Sequence, residues 1–183
     1  MPNRPLDDRP APGPVVVWDR FVRVFHWSLV TCVVLNYFVL EGGKTVHQWV
    51  GSMALALVLA RTVWGFIGTR HARFADFFPT PARLRSHLAH LRSGTHNPHP
   101  GHNPLGGTMV LVLMAVVLAL GTTGWMQTLD IFWGEEWLQD LHRTMGNVLI
   151  GLATLHTVAA LVMGRLERTR LVKAMLTGTK ERW

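Results

Sequence analysis

Four apolar runs, at residues 22–40, 46–68, 105–129 and 138–164, set the pattern of the chain. Each reaches the roughly 20 residues that a helix needs to cross a hydrocarbon core. The third is the cleanest, with no charged residue and no histidine. A soluble four-helix bundle needs a polar outer stripe on every helix, and this run has none. The pattern therefore predicts an all-α, integral membrane four-helix bundle. Residues 41–44 and 130–140 are short polar breaks. Residues 69–104 form a longer segment rich in arginine, histidine and proline. The expected organisation is a disordered proline-rich tail at 1–14, a transmembrane domain at 15–164 and a basic interfacial tail at 165–183. Nothing near Met1 reads as a cleavable signal.

Composition agrees with that pattern. Charged residues are 16% of the chain, against about 25% in an average soluble domain. Hydrophobic residues are 49% and mean hydropathy is +0.21. The formal charge of +7 belongs to residues flanking apolar runs, which argues for membrane topology rather than nucleic-acid binding. Arg4, Arg9, Arg20 and Arg23 precede the first run. Arg70, Arg73, Arg83, Arg85 and Arg92 occupy the middle segment. Arg165, Arg168, Arg170, Lys173, Lys180 and Arg182 follow the fourth. The other two connections offer only Lys44 and Arg143. By the positive-inside rule both termini are expected on the cytoplasmic side.

That topology assigns depth to the histidines. His26 lies just inside the first run and His156 two turns before the end of the fourth, both toward the cytoplasm. His47 and His142 open the second and fourth runs at the outer side. Four histidines thus fall into two pairs by depth, His26 with His156 and His47 with His142. His142 and His156 are fourteen residues apart. They share nearly one helix face and are separated by roughly 21 Å along it. Two imidazoles are good axial ligands for a b-type haem, and two such haems would relay electrons across the bilayer. The single cysteine, Cys32, and the lack of a CxxCH motif exclude covalent c-type attachment. Gly51 and Gly146 each follow a histidine by four residues, one turn inward, where a missing side chain leaves room for a flat macrocycle. Gly151, before His156, is a weaker parallel.

Other readings compete with this one. A lone histidine in a span can be a hydrogen-bonded packing residue. A di-metal or proton-relay site normally includes intramembrane carboxylates, and the interiors of these spans have none. Arg61 is either a partner for a propionate of the inner haem or a side chain snorkelling to the headgroups. Arg23 and Arg20 are alternative propionate partners. His87, His90, His96, His99 and His102 have metal-like spacing, but the prolines and glycine among them favour a solvated loop. The basic tail is expected either as a short helix on the anionic leaflet or as a partly ordered segment. At the outer side Glu41, Asp130, Glu135, Glu136 and Asp140 outnumber Lys44 and Arg143, a formal charge of −3.

Several motifs resemble those of the bacterial cytochrome b561 family, which includes the b-type cytochrome subunits of nickel–iron hydrogenases. They are Trp18-Asp19-Arg20, Arg23-x-x-His26-Trp27, His47-x-x-x-Gly51, Arg61-x-x-Trp64-Gly65, Gly68-x-x-His71-Ala72-Arg73-Phe74 and Gly101-His102-Asn103-Pro104-Leu105-Gly106, with His142 and His156. The resemblance covers nearly all of the chain after the proline-rich tail. It implies two b haems held by histidines of the first, second and fourth helices, and association with ubiquinone or another quinone. The expected function is electron transfer in the bacterial inner membrane between quinone and a periplasmic redox partner such as a cytochrome c. The acidic outer connection fits a basic partner better than an anion. Two further roles occur in the family: a superoxide oxidase passing electrons to ubiquinone, and a membrane anchor of a larger oxidoreductase.

Overall fold

The structure is a computed structural model describing residues 15–93, 104–166 and 169–180. Its frame is four long helices: α1 (Arg20–Val34), α2 (Thr45–Ile67), α5 (Pro104–Met126) and α6 (Glu136–Leu166). Between α2 and α5 lie two shorter helices, α3 (Phe74–Phe77) and α4 (Pro81–Ser93). A last one, α7 (Leu171–Thr177), follows α6. All four long helices are long and apolar enough to cross a membrane, once α1 is counted with its continuation to Val39.

Local chemistry sets the helix ends. Asp19 caps α1, its Oδ1 accepting from the Val22 N–H at 2.8 Å. At its far end α1 widens into a π-helical turn, Leu35–Val39, a departure often found beside functional sites. The next turn passes through Gly43 at φ 78°, a left-handed conformation that suits glycine. With 31 residues, α6 extends about 46 Å at about 1.5 Å per residue. It therefore projects beyond a core about 30 Å thick.

Packing runs in sequence order: α1 lies against α2, α2 against α5, and α5 against α6. No comparable packing joins α1 to α6 among the described residues. A polar bridge toward the end away from both termini links them, where the Tyr37 hydroxyl donates to Asn147 Oδ1 at 2.9 Å. The shared core draws Phe25 and Cys32 from α1, Ala54 and Val58 from α2, Met114 and Val117 from α5, and Leu149 from α6. Gly121 lets α5 approach Leu55 so closely that a Cβ would come within 2.8 Å of it. Val63, Phe66, Val158 and Val162 are exposed on the outside of the bundle, as expected of faces solvated by lipid.

A cap closes the end that carries both termini. Strand β1 (Val15–Val16) pairs antiparallel with β2 (Thr179–Lys180). The Val17 and Trp18 N–H groups both donate to Gly178 O, and Ala174 of α7 is buried beside Val17, Trp18, Val22 and Ala72. The described part of the basic tail is thus packed on the start of α1, beyond what its composition suggested. Residues 81–93 are helical, which corrects the loop expected around His87 and His90. Pro81 sits at the first helical position, where its missing N–H costs nothing, and alanine and leucine carry the helix onward. His96, His99 and His102 lie outside the described residues, as do residues 1–14.

Candidate functional site: two histidine pairs

The pair expected at the outer side is built by the first turn of α2 and the second turn of α6. His47 is the third residue of α2 and His142 the seventh of α6. Their ring centroids lie 6.3 Å apart, with the planes at 68°. Two imidazoles on opposite sides of one metal, each bound at about 2 Å, put their centroids about 6 Å apart. Both side chains are partly buried at the level where the apolar spans begin.

Sequence reading missed the group that orients this pair. Thr123, buried on α5, places Oγ1 2.9 Å from His142 Nδ1. The same hydroxyl donates back to Ala119 O at 2.9 Å, with Leu120 O at 3.1 Å. Its one proton is therefore committed to its own helix, and its free lone pairs accept from Nδ1–H. That bond holds His142 in the tautomer whose Nε2 lone pair is free for a metal. Gly124 gives the ring space beside α5, since a Cβ there would lie 3.2 Å from Cε1. Only the lack of charge around Thr123 was visible in the sequence, and that concealed it among ordinary packing residues.

The two glycines assigned to the outer site differ. Gly146 faces open space, with no atom within 4 Å of a built Cβ. Gly51 faces Asn36, whose Nδ2 would lie 3.3 Å from such a Cβ. The Asn36 side chain, reaching in from the π-helical turn, already fills that notch.

The other expected pair is His26 on α1 and His156 on α6. His26 is partly buried, stacks edge-on to Trp27 at 5.1 Å between centroids, and lies within electrostatic reach of His156. Nδ1 of His26 is buried without a protein partner, as is Nδ1 of His47. No group of three or more histidine, cysteine or acidic residues gathers as a metal cluster among the described residues. The pair of imidazoles whose approach the structure shows is His47 with His142.

Arginines gather at the end that carries both termini. Arg61 is 2% exposed. Its Nη2 donates to Ala72 O at 2.9 Å and its guanidinium lies 5.5 Å from the Phe74 ring centre. Arg23 donates from Nη1 to Leu176 O at 2.6 Å. Each also keeps one buried nitrogen without a protein partner, Nη1 of Arg61 and Nε of Arg23. Asp19 ties these elements together, its Oδ2 accepting from Trp64 Nε1 at 2.9 Å and from the Thr69 hydroxyl at 2.7 Å. Burial pushes the Asp19 carboxyl up. Hydrogen bonds from Thr69, Val22 and Trp64, with the charge of Arg61, outweigh that and hold it below the usual carboxylate value.

The family model of prokaryotic cytochrome b561 matches residues 17–178. The chain belongs to this family. It is accordingly a b-type cytochrome of electron transfer and a multi-pass protein of the bacterial inner membrane. The match takes in the four spans and α7, and stops just short of the paired strands β1 and β2. Comparison with curated proteins and with solved structures finds no match. The haem that the b561 family implies fits the residues present. Two imidazoles at a centroid separation that a metal could bridge, and the open face at Gly146, are what such a group would use.

Proposed function

We propose that this cytochrome holds two b haems and moves electrons between the quinone pool and a redox partner at the periplasmic surface. His47 and His142 are the residues that would hold the outer haem, and His26 and His156 those that would hold the inner one. Bound haem would supply one-electron exchange at this site. The observation that carries the reading is the opposition of His47 and His142 at 6.3 Å.

The chain's own residues supply position and environment. Thr123 fixes the tautomer of His142, and Gly146 leaves the face of α6 open for a flat ring. Toward the inner end, the unpartnered nitrogens of Arg23 and Arg61 are the donors assigned to propionate oxygens. Apolar side chains of α1, α2 and α5 exclude water between the two levels. At the outer end Ile131 and Trp133 are exposed next to Asp130 and Glu135. An acidic surface with exposed aromatic area suits a basic redox protein, and it repels small anions such as superoxide.

The test is a pyridine haemochrome assay on purified protein, joined to a reduction test with quinol and with superoxide. About two b haems per chain and reduction by quinol are expected. Haem-free protein would refute the proposal, and superoxide reduction near the diffusion limit would replace carrier with oxidase. Co-purification of a large catalytic subunit would instead make the chain an anchor.

A further inference from the structure

At Gly164 the end of α6 meets a chain that doubles back. The Thr169 N–H donates to Gly164 O at 2.9 Å. A Cβ at Gly164 would lie 3.0 Å from Thr169 O, so the reversal depends on the bare glycine. Between α6 and α7 it leaves a groove of about 330 Å³. Leu161 and Val172 are part of its largely apolar wall, and the basic residues Arg165, Arg170 and Lys173 border it. Thr169 also lines it, 3% exposed, with a buried hydroxyl that has no partner in the protein.

We propose that this groove is a binding site for the phosphate of an anionic phospholipid, whose acyl chains run along α6 beside Leu161. Position favours this occupant, because the groove lies where an apolar span ends and headgroups begin. Charge favours it as well: from residue 165 onward six basic residues face two acidic ones. Arginine side chains present paired N–H donors that match phosphate oxygens. The Thr169 hydroxyl is the group that an entering phosphate oxygen would satisfy. A neutral headgroup has no use for three cations, and a soluble phosphate leaves the apolar wall unfilled. Basic pockets beside membrane helices on the inner side recognise anionic headgroups in this way.

Native mass spectrometry of the haem-loaded protein, released from nanodiscs, reads the site. Phosphatidylglycerol and phosphatidylcholine are the probes, with inorganic phosphate as a competing arm. The wild type is expected to retain phosphatidylglycerol about fivefold or more over phosphatidylcholine. The R165Q/R170Q variant should lose that preference with an unchanged haem spectrum, and Thr169→Val should weaken it. Equal retention of the two lipids by wild type overturns the proposal, as does a double variant with undiminished preference. Displacement by equimolar inorganic phosphate overturns it in favour of a soluble-anion site. If the double variant does not accumulate, R170Q alone carries the test, and wild-type preference in it counts against the site.

Discussion

Thr123 and His142, nineteen positions apart on neighbouring helices, share a 2.9 Å hydrogen bond whose direction is fixed by the carbonyl of Ala119. The imidazole donates its Nδ1–H to the hydroxyl on α5 and leaves Nε2 free for a ligand. Donation from Nδ1–H raises the basicity of the ring and so favours the oxidised state of a metal bound at Nε2. Thr123→Val is therefore expected to raise the midpoint potential of the outer haem by tens of millivolts, on a scale of about 59 mV per tenfold for one electron. Thr123→Ser should restore it. A redox titration that finds the potential unmoved in the valine variant would make Thr123 a packing residue only.

The two pairs predict separable losses. His142→Ala should remove the outer haem and leave the inner one largely intact, while His26→Ala should do the reverse. Haem counts and low-temperature spectra of both variants check this. Loss of the same haem in the two variants would break the proposed pairing.

Gly146 offers a test that separates cofactor space from protein packing. Because nothing lies within 4 Å of a built Cβ, Gly146→Leu should be tolerated by the polypeptide while lowering haem content. Helical content by circular dichroism should match wild type, with haem falling from about two per chain toward one. Gly51→Ala should behave differently. Its Cβ meets the end of the Asn36 amide at 3.3 Å, and a flexible side chain can give way at a cost under about 1.5 kcal/mol. Full haem content in the leucine variant would remove Gly146 from the site.

The cap should depend on pH through Asp19. Its carboxyl is held below the usual value, so its contribution to stability is present above the unfolded-state value of about 3.9 and is lost as pH falls through the lower folded value. Between pH 5 and 8 the cap should therefore be insensitive to pH on this account, and acid should loosen it below about pH 4. Asp19→Ala should remove the α1 cap, worth about 1 kcal/mol, together with its bonds to Trp64 and Thr69. Hydrogen exchange across residues 171–178 measures both effects, and faster exchange at neutral pH is expected in the variant.

Length and apolar content made the four spans legible, because a bilayer tolerates few alternatives to a helix of that length. The approach of His47 to His142 was legible because both histidines sit near the starts of spans that begin on the same side of an up-and-down bundle. Thr123 was not legible: a threonine in a charge-free run looks like packing, and its meaning arises only when α6 brings His142 beside it. The helix at 81–93 was obscured by reading a histidine-rich stretch through the prolines that follow it. Docking of the basic tail was hidden for another reason. It rests on two-residue strands and on single bonds such as Arg23 to Leu176 O, which leave no periodic trace.

Placing His142 and His156 on one helix has a mechanical consequence. A single hydrogen-bonded rod sets the interval between one ligand of each proposed pair, so that interval works as a ruler. Tilting to suit a thicker or thinner bilayer, or sliding of α1 and α2 against their neighbours, would change the partners' angles more readily than this spacing. The electron path across the membrane would then keep a constant step length while lipid composition varies around it.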